Sequence, residues 1–145
     1  MSFYGVIGKN PSRYFWTIQG LVAATYKTAQ TTASFDRYRN GGYAALTLEL
    51  CPGLWTDGTH AFVINESDDN STWTAVVAAD LVPNPEVGAG TSTFLPINAA
   101  TTVVQRIDYI GRKRYVQVVS AETGTTGAAY ALLGHLFGPN IFPAA

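Results

Sequence analysis

Two histidines and one cysteine are the side chains of this 145-residue chain best suited to nucleophilic or metal chemistry. His60 and His135 each stand beside a predicted strand, and neither has a cysteine, histidine or carboxylate at metal-ligand spacing. His60 lies close enough to Asp57 to suggest an acid–base pair, but a histidine beside a turn at the start of a strand is the better interpretation. Cys51 has no evident histidine partner and G-x-S-x-G does not occur, so we predict a buried structural thiol.

The acidic residues give no complete site in the sequence either. Asp68-Asp69-Asn70 resembles the start of a calcium loop, but Trp73 stands where that loop needs glycine and Ala79 where it needs a bidentate glutamate. Paired carboxylates for glycoside hydrolysis require a set spatial separation that a sequence does not give, so this possibility stays open. With ten acidic residues in a small β-protein, we predict that the chain is not an enzyme and binds no metal or cofactor.

The strongest basic cluster surrounds a predicted turn and comprises Arg106, Arg112, Lys113 and Arg114. No glycine-rich loop leads from it into a helix N-terminus, so it does not indicate a phosphate site. We expect it to pair with acidic groups of a partner or to be solvated around the turn. A net charge of −1 supplies no field for DNA or RNA, and no apolar run is long enough to span a membrane, so we predict neither partner.

Composition and residue alternation predict an all-β fold. Charged residues make up 13 % of the chain and hydrophobic residues 47 %, which suits strands and turns better than surface helices. Tyr43–Cys51 is the clearest strand, because Leu46, Leu48 and Leu50 point to one face. We expect Pro52-Gly53 to end it.

Hydrophobic runs bounded by turn residues predict two hairpins and a final strand. The turn of the first hairpin, residues 67–71, consists of Ser, Asp and Asn, whose side chains bond their own backbone. Gly111 and two basic residues form the turn of the second. The predicted strands are 61–64 with 72–77, 103–110 with 114–121, and 128–134.

We therefore predict one β-sandwich domain over residues 21–136, with extended segments at both ends. Residues 1–20 form either an arm that orders against a neighbouring molecule or an edge segment of the domain, and residues 137–145 form a C-terminal tail. The loop 82–93 is long enough to serve as a contact loop. The predicted contact residues are Phe3, Tyr4, Tyr14, Phe15, Trp16, Pro83, Pro85, Arg112, Lys113, Phe137, Ile141 and Phe142.

The aromatic residues suggest a second function class. Three Trp, eight Tyr and seven Phe could supply the ring platforms with which β-sandwiches bind sugars. Such a platform needs two or three aromatic residues alternating outward on one strand. Phe62 and Trp73 stand singly on the predicted strands, so the sequence does not show that pattern.

Three segments, in this order and spacing, resemble a known family over residues 43–136. They are Glu66-Ser67-Asp68-Asp69-Asn70-Ser71-Thr72-Trp73-Thr74-Ala75-Val76 with Ala78-Ala79-Asp80-Leu81, then Ile107-x-Tyr109-Ile110-Gly111-x-Lys113-Arg114-Tyr115-Val116, then Ala131-x-Leu133-Gly134-His135. The chain is similar in them to a family of small tailed-bacteriophage structural proteins, the head decoration or cement proteins.

The resemblance implies a jelly-roll-like antiparallel β-sandwich on the exterior of the capsid, so the virion is the expected location. It also implies a homo-oligomer, a dimer or trimer, that bridges and stabilises subunits of the major capsid protein. The alternative is a carbohydrate-binding or tail-associated β-sandwich module of the virion. Residues 1–42 and the tail after His135 lie outside the resemblance.

Overall fold

Strands account for most of the residues that the computed structural model describes, which are 15–39, 41–83 and 93–138. In chain order they are β1 (Phe15–Tyr26), β2 (Phe35–Asp36), β3 (Tyr38–Arg39), β4 (Gly42–Tyr43), β5 (Ala45–Trp55), β6 (His60–Ser67), β7 (Thr74–Ala75), β8 (Leu81–Pro83), β9 (Gln105–Tyr109), β10 (Tyr115–Glu122) and β11 (Ala128–Phe137). A 3-10 turn, Ala78–Asp80, precedes β8. Within the described ranges, no helix has the length and apolar character needed to cross a membrane.

The strands form two antiparallel sheets and a small hairpin. The larger sheet has the order β1-β11-β5-β9-β8 and the smaller one the order β2-β10-β6-β7, while β3 pairs with β4. Buried side chains of both sheets belong to one continuous core. The predicted all-β sandwich is therefore confirmed.

Alternation places the core between the two sheets. Leu46, Leu48 and Leu50 of β5 are at most 1 % exposed, as their spacing predicted. On the facing sheet, Val116 and Val118 of β10 are fully buried. Removing such side chains from water is the main favourable contribution to folding, at about 1.5–3 kcal/mol for each fully buried aliphatic side chain.

Phe35 packs in the core against two glycines of the larger sheet. A Cβ atom added to Gly20 would lie 2.6 Å from the ring, and one added to Gly134 would lie 2.5 Å from it. No side chain fits at either position while Phe35 keeps its place. The two glycines thus allow the ring to approach the sheet backbone directly.

Strand β5 does not end at Pro52-Gly53, so that prediction is wrong. It continues to Trp55 along β11, with a register irregularity between Ala128 and Tyr130. On its other side β5 pairs with β9 only as far as Leu50. Beyond Leu50 that side is an edge, where a proline costs no ladder hydrogen bond.

The predicted hairpin over 103–121 is also wrong, although both of its strands exist. β9 pairs with β5 and β8 in the larger sheet, whereas β10 pairs with β2 and β6 in the smaller one. Residues 110–114 therefore cross from one sheet to the other. A local apolar pattern predicts that a strand forms but not which sheet it joins.

The other hairpin is confirmed, with a shorter second strand than predicted. β6 and β7 pair through Asn65 with Ala75 and Glu66 with Thr74. Asp69 closes the turn by accepting hydrogen bonds from the backbone N–H groups of Ser71 at 2.9 Å and Thr72 at 2.7 Å.

The two ends of the described chain meet on the larger sheet. β1 crosses residue 20, the predicted end of the N-terminal segment, and pairs with β11 so that Phe15 lies opposite Phe137. The final strand extends past the predicted residue 134 to Phe137. Residues 1–14 and 139–145 are therefore attached at neighbouring positions of this sheet, and both lie outside the described residues.

Candidate functional site

A cleft of about 410 Å³ opens on the outer face of the larger sheet. Cross-strand pairing brings its residues together, because Thr47 lies opposite both His135 and Asp108, and Glu49 lies opposite Arg106. Four strands contribute side chains that are far apart in the sequence. The lining residues are Phe15, Thr47, Glu49, Arg106, Asp108, His135 and Phe137.

Glu49 forms the polar floor of the cleft. Its side chain is 11 % exposed, and Oε2 accepts a hydrogen bond from Arg106 Nε at 2.5 Å while lying 3.6 Å from His135 Nε2. Burial by itself would raise the pKa of Glu49, but the hydrogen bonds from Arg106 and Cys51 outweigh it and lower that pKa. Glu49 is therefore a carboxylate at neutral pH.

Cys51 occupies the next outward-facing position of β5 after Glu49. Its thiol donates a hydrogen bond to Glu49 Oε1, with 3.3 Å between sulfur and oxygen. Burial and the Glu49 carboxylate raise the pKa of the Cys51 thiol to about 11. Nucleophilic cysteines react as thiolates, so this half-buried cysteine has the opposite of the required electrostatics. The predicted burial in the core is wrong, because Cys51 is only partly buried and faces outward beside Glu49.

An aromatic wall borders the cleft on the β1 and β11 side. The rings of Phe15 and Phe137 meet edge to face with centroids 5.2 Å apart, and Phe15 stacks on His135 at 5.8 Å. Thr17 Oγ1 lies 3.1 Å from His135 Nδ1 and fixes that ring. His135 and Phe137 alternate outward on β11 and β1 adds Phe15, so an outward ring cluster exists that the sequence did not reveal.

The predicted contact residues do not all gather at one place. Phe15 and Phe137 lie together at the cleft, whereas Trp16 points to the other face and packs against the core. Pro83 lies opposite Ile107 in the edge strand β8. Arg112 and Lys113 lie in the crossing between the sheets. Phe3, Tyr4, Tyr14, Pro85, Ile141 and Phe142 lie outside the described residues.

The predicted basic cluster is dispersed among separate carboxylates. Arg106 binds Glu49, Lys113 binds Asp68, and Arg114 makes a bidentate pair with Asp36 at 2.9 and 2.8 Å. These pairs leave only Arg112 of the cluster with no carboxylate partner among the described residues. The carboxylates that pair with Arg106, Lys113 and Arg114 therefore belong to this chain, whereas the prediction placed such groups on a partner.

Arg37 is a buried cation that sequence reasoning did not single out as structural. It is 7 % exposed and donates to the carbonyls of Ala44 at 2.9 Å, Gly111 at 2.9 Å and Lys113 at 2.7 Å. Its guanidinium also lies 4.8 Å from the centre of the Tyr109 ring. Arg37 therefore ties the β3–β4 hairpin to the crossing between the sheets.

Those two segments form one end of the sandwich, residues 36–45 and 109–115, which we call the hairpin end. Tyr38 and Tyr43 are 44 and 53 % exposed there and meet edge to face at 5.7 Å. Ile110 is 58 % exposed, and Arg114 lies 5.2 Å from the centre of the Tyr38 ring. Because Phe137 pairs with Ala45, the Phe15–Phe137 contact borders this end.

His60 does not form the acid–base pair with Asp57 that its position suggested. The ring is fully buried, with Nδ1 2.9 Å from Glu122 Oε2 and Nε2 3.1 Å from the Asp57 carbonyl. Glu122 also accepts hydrogen bonds from the hydroxyls of Ser120 and Tyr130. This network is buried and joins the two sheets, so its role is structural.

Metal binding finds no support in the residues that the structure describes, since no three of their histidines, cysteines and carboxylates stand close enough to hold an ion. The chain matches no protein family, no curated protein and no solved structure.

Proposed function

We propose that this chain is a virion structural protein, a decoration or cement protein that binds the outside of a tailed-phage head. In this role it bridges and stabilises subunits of the major capsid protein and performs no reaction. The motifs at residues 66–81, 107–116 and 131–135 resemble those of such proteins, and the all-β sandwich is compatible with the role.

We infer in addition that the sandwich is a jelly roll. A jelly roll is an antiparallel hairpin of eight strands wound around a core, so that first pairs with eighth, second with seventh, third with sixth and fourth with fifth. Leaving out β3, β4 and the edge strand β8, the remaining eight pair in this way: β1 with β11, β2 with β10, β5 with β9, and β6 with β7.

The observation that carries the proposal is the hairpin end. Exposed rings of Tyr38 and Tyr43 and the exposed Ile110 lie there, and tyrosine is among the residues enriched in interface centres. The attachment points of both terminal segments border the same end. These segments contain six aromatic or isoleucine residues suited to burial: Phe3, Tyr4, Ile7, Tyr14, Ile141 and Phe142.

The mechanism is a clamp driven by surface burial. The hairpin end and the terminal segments cover neighbouring capsid subunits, and each copy needs an interface of about 1,200–2,000 Å² for stable binding. If the protein binds only the assembled lattice, mass action stabilises that lattice against its dissociated subunits. Many copies on a closed shell multiply a modest energy per copy.

Co-sedimentation with tail-free capsids that lack the protein tests this proposal. The full-length chain pellets with the capsids, whereas the Tyr38→Ser/Tyr43→Ser variant binds at least about tenfold more weakly, because hot-spot rings are lost. Val63→Ser is the matched control, since Val63 is 48 % exposed on the outer face of the other sheet. Equal binding by the tyrosine variant and the wild type contradicts docking through the hairpin end. Absence of binding by the wild type contradicts the decoration role.

A further inference from the structure

The cleft on the larger sheet lies between an aromatic wall and a polar wall. Phe15 and Phe137 stand on one side and Arg106 and Asp108 on the other, with the carboxylate of Glu49 on the floor between them. Its volume of about 410 Å³ falls in the range of small-molecule sites. Side chains of four strands hold its shape, so the cleft exists before any ligand arrives.

The aromatic wall offers ring surface that the core does not use. Phe15 and Phe137 are 43 and 39 % exposed, although both belong to paired strands. The face of an aromatic ring carries partial negative charge and attracts weakly positive C–H groups. A flat ligand with C–H groups on one face therefore gains both hydrophobic burial and electrostatic attraction at this wall.

The polar wall offers donors and acceptors side by side. Arg106 donates to Glu49 through Nε, and its two terminal nitrogens carry four further N–H donors. Asp108 accepts the Thr47 hydroxyl through Oδ1 at 2.6 Å, which leaves Oδ2 as an acceptor. A hydroxyl group matches this arrangement, because it can both donate a hydrogen bond and accept one.

Charge selects against an anionic ligand. Arg106 is already paired with Glu49 at 2.5 Å, and the His135 ring lies 3.6 Å from the same carboxylate. A carboxylated or phosphorylated ligand would meet the like charge of Asp108, while the nearby basic groups already face Glu49. A neutral, hydroxylated ligand avoids that cost.

We propose that this cleft binds a neutral saccharide, with a pyranose ring against Phe15 and Phe137 and its hydroxyls bonded to Arg106 and Asp108. Pyranoses combine an apolar C–H face with a rim of hydroxyls that donate and accept. This site uses other side chains than the hairpin end, since its lining residues lie on the outer face of the larger sheet, and its test needs no capsids.

The site is built for binding rather than hydrolysis. Glycoside hydrolysis needs a carboxylic acid that stays protonated near neutral pH beside a second, ionised carboxylate. Glu49 is held in the ionised form by Arg106, and Asp108 lies on the exposed side of β9, where it accepts a hydroxyl hydrogen bond. Glu49 therefore lacks the apolar setting that would keep a proton on it.

Titration of the full-length protein with three neutral tetrasaccharides, cellotetraose, maltotetraose and chitotetraose, tests the proposal. Isothermal calorimetry and saturation-transfer NMR detect binding of at least one of them. Phe137→Leu, which keeps an apolar side chain but removes the ring face, weakens that binding by about three- to tenfold. Val63→Leu, on the outer face of the other sheet, leaves it unchanged.

Four outcomes overturn the proposal: no binding of any of the three neutral probes, binding unaffected by Phe137→Leu, tighter binding of tetragalacturonate than of the neutral probes, or release of shorter sugars during the titration. Loss of saccharide binding leaves the capsid assay unaffected, and loss of capsid binding leaves the titration unaffected. The two proposals therefore fail separately.

Discussion

Glu122 illustrates how a single buried residue holds the two sheets together. Its side chain is 2 % exposed and accepts hydrogen bonds from His60, Ser120 and Tyr130. His60 and Ser120 belong to the smaller sheet and Tyr130 to the larger one. Removing the shared acceptor would leave several buried donors without a partner.

We predict that Glu122→Ala lowers the free energy of unfolding by at least about 2 kcal/mol, because each buried donor left without its acceptor costs about 1–3 kcal/mol. Asp68→Ala, which breaks the exposed pair with Lys113, serves as the control and changes stability little, because water screens that pair. Urea unfolding of both variants measures the difference. Similar losses for the two would contradict a structural role for the Glu122 network.

Two turn aspartates make stability depend on pH. Backbone N–H groups of Thr125, Gly127 and Thr126 lower the pKa of Asp57 well below its usual value, and those of Thr72 and Ser71 do the same for Asp69. A carboxyl whose pKa is lower in the folded state contributes stability above its unfolded pKa, about 4, and that contribution is lost as pH falls through the folded pKa.

We therefore predict that the urea midpoint stays level from neutral pH to about 5 and declines below about 4. Asp57→Asn has a lower midpoint at neutral pH, because asparagine keeps only one of the two oxygens that accept these N–H groups and its NH2 group cannot accept. Its decline towards low pH is shallower than that of the wild type. Unfolding midpoints measured between pH 7 and 3 check both features. Parallel curves for wild type and variant would exclude Asp57 as a source of the pH dependence.

At the scale of elements, one buried arginine decides how the chain passes between the sheets. Arg37 donates to the carbonyls of residues 44, 111 and 113. Among the described residues, no carboxylate forms an ion pair with it. Burial lowers the pKa of Arg37 somewhat, and the nearby Tyr109 and Tyr43 counteract this. The hairpin end therefore owes its shape to three hydrogen bonds of one side chain.

We predict that Arg37→Met costs at least about 2 kcal/mol of unfolding free energy, because buried carbonyls lose a charged donor. Amide hydrogen exchange should speed up mainly in residues 38–44 and 110–114, while β11 stays protected. Arg112→Met, at an exposed position of the same crossing, is the control and should change neither quantity. Uniform loss of protection across both sheets would mean that Arg37 supports the whole core instead.

Some of these elements could be predicted from local pattern and some could not. The spacing of Leu46, Leu48 and Leu50 fixed the buried face of β5, because alternation within one strand depends on that strand alone. The supposed hairpin over 103–121 failed because sheet membership depends on distant partners. Pro52 is tolerated in β5 because the pairing with β9 ends at Leu50. The sequence alone does not show where that pairing ends.

The cleft could not be predicted from the sequence for the same reason. Its side chains come from β1, β5, β9 and β11, and only the register of these strands sets Glu49 opposite Arg106 and Phe15 opposite Phe137. Phe15 and Phe137 were singled out as apolar residues near the chain ends, but nothing local showed that they touch. The buried role of Arg37 likewise depends on carbonyls more than 70 positions away.

At the scale of the whole molecule, the described residues form one continuous core whose first strand, β1, begins at Phe15. Deleting residues 1–12 should therefore leave the melting temperature nearly unchanged, because β1 begins at Phe15. The same deletion should weaken capsid binding, because the proposed clamp loses one of its segments. Failure of the truncated chain to fold would show that residues 1–12 belong to the domain rather than to a contact arm.

A cryo-EM reconstruction of tail-free capsids saturated with the full-length protein tests the central claim most directly. We predict ordered density for the sandwich on the outer surface of the shell, with Tyr38, Tyr43 and Ile110 facing the major capsid protein. Capsids without added density, or a sandwich bound with the hairpin end pointing into solvent, would contradict it.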